Sequence, residues 1–237
     1  MDSAVYVALA RQSGLMRELQ GVANNIANAG TTGFRREAVI FAEHVSAAGS
    51  GAPSLSIAHA HGRGIDLTQG ALTQTDAAYD FAIEGEGFFQ VETSEGPALT
   101  RAGRFTPNAA GELATAEGHR LLDEAGGPVF VPAGQRPHLA PDGTLSVEGR
   151  PIGRIGLWQP AQPGDLRHRA GTLFSAEGAI QPQEGATILQ GFLESSNVDP
   201  IIETARMIEV GRAYELGQSL LDGEDRRIRD TISTMME

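Results

Sequence analysis

The sequence predicts an α+β protein whose long N- and C-terminal helices pair in a coiled-coil-like bundle and flank a central antiparallel β domain. Apolar residues keep helical spacing near both ends of the 237-residue chain, and between them they fall into short alternating runs separated by Gly-containing turns. We therefore predict an N-terminal helix over 1–36, an extended linker over 37–66, a central β domain over 67–193 and a C-terminal helix over 194–237.

The N-terminal helix is predicted from residues that alternate by three and four. Its seam consists of Val5, Ala8, Gln12, Leu15, Leu19, Val22 and Ile26, with Gln12 interrupting the apolar pattern. About 25 helical residues rise roughly 40 Å, too far for most small globular cores to cover. Gly30 supplies a left-handed C-cap. Asn25 is a poor helix former that either helps to end the helix or bridges to neighbouring backbone in an assembly.

The C-terminal helix begins with Asp199 as N-cap and Pro200 at the first helical position. Its stripe contains Ile201, Ala205, Ile208, Leu216 and Leu220, interrupted by Arg212. Three glycines lower its helix propensity by about 1 kcal/mol each, so packing must hold it. The two terminal stripes predict chain ends that pair with each other or with neighbouring subunits. Both sets of stripe residues, together with Asn25, are therefore the predicted assembly interface.

The segment between the first helix and the β domain gives weaker signals. Residues 34–41 fit a continued helix or an extended strand. His59 and His61 would share one face of a strand, as a metal pair requires, but no third ligand has convincing spacing. An exposed extended segment is the preferred interpretation, and no metal site is predicted.

The central domain is predicted from strand-like runs such as 81–84 and 88–92, which flank the turn Gly85-Glu86-Gly87. A dinucleotide-binding loop is not indicated, because no helix start follows these glycines. The predicted core residues are Phe81, Ile83, Phe89, Val91, Leu121 and Trp158.

Composition narrows the function classes. The formal charge of -12 disfavours nucleic acid as a partner. No apolar run approaches the ~20 residues needed for membrane insertion, and no cleavable signal is apparent. The absence of cysteine removes thiolate chemistry. Because no catalytic motif is recognisable either, we predict no enzyme activity and no cofactor.

Three blocks of sequence resemble the flagellar basal-body rod and hook proteins of bacteria. Residues 23–36 resemble the N-terminal signature of that family, and residues 69–72, 80–89 and 99–106 resemble its central block. Residues 190–198, 207–209 and 212–215 resemble its C-terminal signature. The opening residues 1–6 and the short chain are more similar to the proximal than to the distal rod proteins.

The resemblance implies a structural subunit of the proximal rod, polymerising through its terminal helices into the hollow drive shaft that transmits torque across the periplasm. It implies contacts with further copies of the chain, with other proximal and distal rod proteins and with the type III export apparatus. The expected location is the basal body, in the periplasmic rod, after export from the cytoplasm. The alternative is a secreted β-rich enzyme or carbohydrate-binding protein that acts in the periplasm.

Overall fold

A computed structural model describes residues 2–46 and 55–236 of the chain. Within these residues it contains the helices α1 (Asp2–Ala27) and α2 (Pro200–Met236) and a short 3-10 helix, Pro163–Asp165. The strands between α1 and α2 are β1 (Glu37–Ser46), β2 (Leu55–Ile65), β3 (Leu72–Gln74), β4 (Phe81–Glu84), β5 (Phe88–Thr93), β6 (Gly96–Thr100), β7 (Thr106–Pro107), β8 (Leu113–Ala114), β9 (Arg120–Leu121), β10 (Pro137–Leu139), β11 (Thr144–Val147), β12 (Arg150–Arg154), β13 (Leu157–Pro160), β14 (Leu166–His168), β15 (Leu173–Ala176), β16 (Ile180–Pro182), β17 (Thr187–Gln190) and β18 (Phe192–Glu194).

The chain divides into two compact units. The helical unit comprises Met1–Ala27, Glu37–Gly64 and Asp199–Glu237, and the β unit comprises Asn28–Arg36 and Ile65–Val198. Residues 37–66, predicted as an extended linker, contain β1 and β2, which pair in a two-stranded sheet. The segment that follows α1 therefore continues in extended form.

The end of α1 differs in detail from the prediction. The helix ends at Ala27, but Gly30 does not adopt the left-handed conformation expected of a C-cap. Thr31 N–H instead donates to the Asn28 carbonyl at 3.0 Å, and the left-handed residue is Gly33, with φ 73°. The chain therefore leaves the helix through a turn of ordinary backbone conformation.

The predicted start of α2 is confirmed. The helix begins at Pro200, and the Asp199 carboxylate accepts hydrogen bonds from the backbone N–H groups of Ile201 and Ile202 at 2.9 and 3.2 Å. These N–H groups have no partner inside the helix, so the Asp199 side chain satisfies them.

The two helices pair, but the predicted coiled-coil-like bundle is wrong. α1 contacts both α2 and strand β1. Its 26 residues can cover only part of the 37 residues of α2, and all residues of α2 from 225 to 235 are exposed. In the described residues, the helical unit is thus a single helix pair with β1 packed against α1.

The β unit is built from antiparallel strands, as the sequence predicts. The largest sheet has the order β14-β15-β6-β5-β9-β8-β7, and β13 joins it through β5 and pairs with β16. A three-stranded sheet has the order β10-β11-β12, and two further pairs are β17-β4 and β18-β3.

The predicted glycine turn between β4 and β5 is confirmed, but the two strands that it joins do not pair with each other. Gly85 and Gly87 both have positive φ, at 106° and 108°. β4 pairs with β17, whereas β5 pairs with β6, β9 and β13. The two strands on either side of the turn thus enter different sheets.

The core of the β unit contains the predicted apolar residues. Phe81, Ile83, Phe89, Val91 and Leu121 are buried in one cluster, and Phe89 packs edge-on against Phe105. Trp158 is only half-buried, at the border of a second cluster around Phe88 and Phe174. Among the described residues, neither helix carries an apolar stretch of the length that crossing a membrane requires.

Candidate assembly interface

A buried polar network joins α1, β1 and α2. The Asn25 side chain accepts a hydrogen bond from Glu37 N–H at 2.9 Å and donates to the Glu37 carbonyl at 2.8 Å. It also donates to the Glu203 carboxylate at 3.1 Å. All three residues are buried. The amide of Asn25 thus bridges to neighbouring backbone, but this backbone belongs to the same chain.

Farther along the pair, α2 approaches α1 through small and polar residues. Gln12 Nε2 donates to the Tyr214 carbonyl at 3.1 Å, and a Cβ on Gly217 would lie 2.9 Å from Gln12 Oε1. Glu18 accepts a hydrogen bond from Arg206 Nε at 2.7 Å. The residue that interrupts the apolar pattern of α1 therefore lies against a glycine of α2.

The predicted seam of α1 is largely covered within the chain. Gln12, Val22 and Asn25 are buried, and Ala8, Leu15, Leu19 and Ile26 are half-buried. The side chain of Val5 lies outside the described residues. As contacts between subunits, these residues stay a prediction.

The predicted stripe of α2 lies on its exposed side. Ile201 is 80% exposed and Leu216 72%, and Ala205, Ile208, Arg212 and Leu220 are exposed as well. The less exposed side of the helix instead carries, at alternating steps of four and three, Glu203, Met207, Val210, Tyr214, Gly217, Leu221 and Glu224. Hydrophobicity alone could not identify this inner face, because glutamates, a tyrosine and a glycine occupy much of it.

Two arginines and one glutamate form a buried ion cluster in the β unit. Arg35 Nη1 lies 2.6 Å from Glu194 Oε1, and Arg101 Nη1 lies 3.0 Å from Glu194 Oε2. The side chains of Arg35 and Glu194 are fully buried, and that of Arg101 is 3% exposed. We call these three residues the Arg–Glu–Arg cluster.

The remaining contacts of Arg101 fix its position. Its Nη2 donates to the Gly85 carbonyl at 2.6 Å, and its guanidinium lies 5.4 Å from the centre of the Phe88 ring. Burial lowers the pKa of Arg101 to about 10, against the opposing effect of the Glu194 carboxylate. The side chain is therefore still cationic at neutral pH.

The same region is closed by backbone contacts between distant segments. Gly33 N–H donates to the Glu194 carbonyl at 2.8 Å, and a Cβ on Gly33 would lie 2.3 Å from Ala102 N. The Asn197 side chain accepts from Arg36 N–H at 2.7 Å and donates to the carbonyls of Asp66 and Thr68 at 3.0 and 2.9 Å. Residues 33–36, 101–102 and 194–197, which are parts of the three family signatures, thus meet within the β unit.

The Arg–Glu–Arg cluster was not predicted from the sequence. An arginine or glutamate in a signature carries no local sign of burial, and the three members come from separate parts of the chain. The only available signal was that all three lie in blocks that carry the family resemblance.

No group of three His, Asp or Glu side chains in the described part of the chain is arranged to hold a metal ion. The side chains of His59 and His61, considered above as a metal pair, lie outside the described residues.

Two family models match the chain. "Flagellar hook protein FlgE/F/G D1 domain" covers residues 82–147, and "Flagellar basal body rod FlgEFG protein C-terminal" covers residues 189–234.

Curated relatives match over nearly the whole chain. A protein from Caulobacter vibrioides named flagellar basal-body rod protein FlgF is 40% identical, with 99% of this chain and 98% of the relative covered. A protein of the same name from Mesorhizobium japonicum is 37% identical, covering 93% and 92%. The flagellar basal-body rod protein FlgG of Bacillus subtilis is 29% identical, covering 98% and 99%.

Proposed function

This chain belongs to the family of flagellar basal-body rod proteins, and we propose that it joins the rod through the exposed apolar side of α2. It is a structural subunit of the flagellar basal-body rod, and the basal body is its location. The opening residues predict a resemblance to the proximal rod protein, which is FlgF, and relatives of that name confirm the resemblance. Rod subunits of the same family are its assembly partners.

The observation that carries the proposal is the exposed apolar side chains of α2. Ile201, Ile208, Leu216 and Leu220 are each at least half exposed. Fully burying one such side chain contributes about 1.5–3 kcal/mol. Large apolar patches on a protein surface mark sites of contact with other molecules. We infer that a neighbouring subunit covers this side of the helix.

The far end of α2 offers a second apolar contact. Ile228 and Met235 continue the four-and-three spacing of the inner face, and they are 42% and 83% exposed. A heterologous contact repeated from copy to copy produces an open helical filament when the rotation does not close a ring. Such a contact at the exposed side chains of α2 accounts for a rod.

We place the subunit in the proximal rod, within the periplasm. The reason is that its opening residues resemble the proximal rod protein FlgF and that several of its relatives carry this name. We propose export through the flagellar type III apparatus and a role without catalysis, in line with a family of structural proteins.

Leu216→Asp tests the proposal. Because Leu216 is 72% exposed, the variant should keep the free energy of unfolding of the purified chain within about 0.5 kcal/mol of wild type. Cells that express it in place of wild type should lose swimming in soft agar, since a carboxylate would be buried at the contact in every copy. Gln218→Asp, an exposed polar position on the same helix, is the control and should keep swimming.

Leu216 is a cleaner site for this test than Leu19. Leu19→Asp should also abolish assembly, but Leu19 is half-buried within the chain, so this variant disturbs the subunit itself. Normal swimming by Leu216→Asp at normal cellular amounts would contradict the proposed contact.

A further inference from the structure

The β unit contains a cavity that the assembly interface does not use. Its volume is about 510 Å³, and it is lined by the residues that precede β13, by part of β13 and by the segment around 182–188. Its apolar floor includes the buried side chains of Ile155, Leu157 and Ile188. This volume lies within the usual range of small-ligand pockets.

Gly156 packs closely against two other residues that line the cavity, Glu124 and Trp158. A Cβ at this position would lie 3.0 Å from Glu124 Cα and 3.1 Å from Trp158 Nε1. The half-buried Trp158 forms part of the wall, and it is the sole tryptophan of the chain. A ligand in the cavity would therefore lie near the indole, whose fluorescence can be used to follow binding.

The rim carries more negative than positive charge. Glu124, Asp142 and Glu184 lie there with one cation, Arg154, whose Nη1 already lies 3.3 Å from Glu124 Oε2. Asp142 accepts hydrogen bonds from Thr144 N–H and from its hydroxyl, each at 3.0 Å, and these bonds keep the pKa of the Asp142 carboxyl below its usual value. Arg154 Nε also donates to the Asp142 carbonyl at 3.0 Å. Among the described residues, the cavity therefore sets three carboxylates, those of Glu124, Asp142 and Glu184, against the single guanidinium of Arg154.

We propose that this cavity binds an arginine side chain presented on an exposed turn of a neighbouring rod subunit. The methylene stem would lie on the apolar floor, as long cationic side chains do on apolar surface. The guanidinium would donate to the carboxylates of Asp142 and Glu184, which can accept its planar pair of N–H groups. The choice of a rod subunit as the source rests on the proposed function, whereas the binding of an arginine side chain does not.

Fluorescence of Trp158 in the purified chain tests the site directly. Titration with acetyl-Ala-Arg-Ala-amide should change the emission saturably, and the same peptide with neutral citrulline in place of arginine should bind about tenfold more weakly or not at all. The double variant Asp142→Asn/Glu184→Gln should weaken arginine-peptide binding by a similar factor. Glu117→Gln, an exposed acid that does not line this cavity, is the matched control and should bind like wild type.

Three results would overturn the site: no saturable change with the arginine peptide, equal response to the citrulline peptide, or unchanged binding by a double variant whose melt matches wild type. Should the double variant melt at a lower temperature than wild type, the single variant Glu184→Gln, at an exposed position, decides between the same outcomes. Peptide binding with normal swimming of the double variant would overturn the neighbouring subunit as the source. None of these results depends on Leu216, so the failure of this site and the failure of the α2 contact are distinguishable.

Discussion

Replacing Glu194 by glutamine should strongly destabilise the β unit. The substitution keeps the size of the side chain but removes the one carboxylate that Arg35 and Arg101 share at 2.6 and 3.0 Å. Both guanidinium groups are almost completely buried, so neither can exchange the lost anion for water. Breaking a buried ion pair from one side typically costs about 3–5 kcal/mol, because it leaves a charge without compensation.

The expected loss is large enough to measure by thermal and denaturant unfolding. For a chain of this size, about 1 kcal/mol shifts the melting temperature by roughly 2–4 °C, so we expect a fall of roughly 6–20 °C. Urea unfolding followed by Trp158 fluorescence reports on the same unit, because Trp158 lies within it.

Two matched variants separate the charge effect from a general effect of mutation. Glu177→Gln removes the partner of Arg167 in a pair whose side chains are 61% and 46% exposed, and it should cost less than about 1 kcal/mol. Arg35→Met removes one cation and leaves the Arg101–Glu194 pair, so it should cost less than Glu194→Gln. A loss of under about 1 kcal/mol for Glu194→Gln would refute the view that this cluster holds the β unit together.

Further predictions concern backbone, polar network and pH. Gly33→Ala should destabilise the β unit by more than about 1 kcal/mol in urea melts, because the φ of Gly33 is 73° and the new Cβ would meet Ala102 N at 2.3 Å. Gly30→Ala is the control and should be close to neutral in the same melts, because a Cβ there meets nothing within 4 Å. Asn25→Ala should cost the helical unit about 1–3 kcal/mol by removing the acceptor of the buried Glu37 N–H, and hydrogen exchange of α1 should accelerate; unchanged exchange would contradict this. The pKa of Arg101 falls on folding to about 10, so this group binds a proton in both states below that pH. Stability would rise with pH only above about pH 10, where the folded state has lost a proton that the unfolded chain still holds. The difference in unfolding free energy between wild type and Arg101→Met should therefore stay constant from about pH 6 to about pH 9, and a steady drift would count against this assignment.

The sequence predicted those features that depend on neighbouring residues. Asp199 followed by Pro200 fixed the start of α2, because a cap needs only its own N–H partners a few residues away. The glycine turn between β4 and β5 was equally visible, since Gly85 and Gly87 supply the positive φ values. Their strand partners were not visible, because β17 lies about a hundred residues farther along the chain and no local pattern specifies it.

The inner face of α2 could not be predicted from the sequence, for a second reason. The sequence predicts that the strongest apolar stripe of this helix is its contact face. In the structure, Glu203, Tyr214 and Gly217 lie on the less exposed side instead, and Leu216 is exposed. Glu203 is accepted there because Asn25 donates to it, and Gly217 because Gln12 approaches closely. Which residues of α2 face α1 thus depends on pairs of residues, and the sequence around one member does not indicate the other.

The closure of the β unit by its last residues also governs when it can fold. The hydrogen bond from Arg36 N–H to the Asn197 side chain spans 161 positions of sequence, and the Arg101–Glu194 contact spans 93. A chain synthesised from its N-terminus has Arg35 and Arg101 long before it has Glu194, and until then both cations lack their counter-ion. Contacts at such separation slow folding, since the entropy of closing the loop is lost before the contact forms. The nascent subunit should therefore stay open until nearly all of it has been made, which delays the native state to the final stage of synthesis.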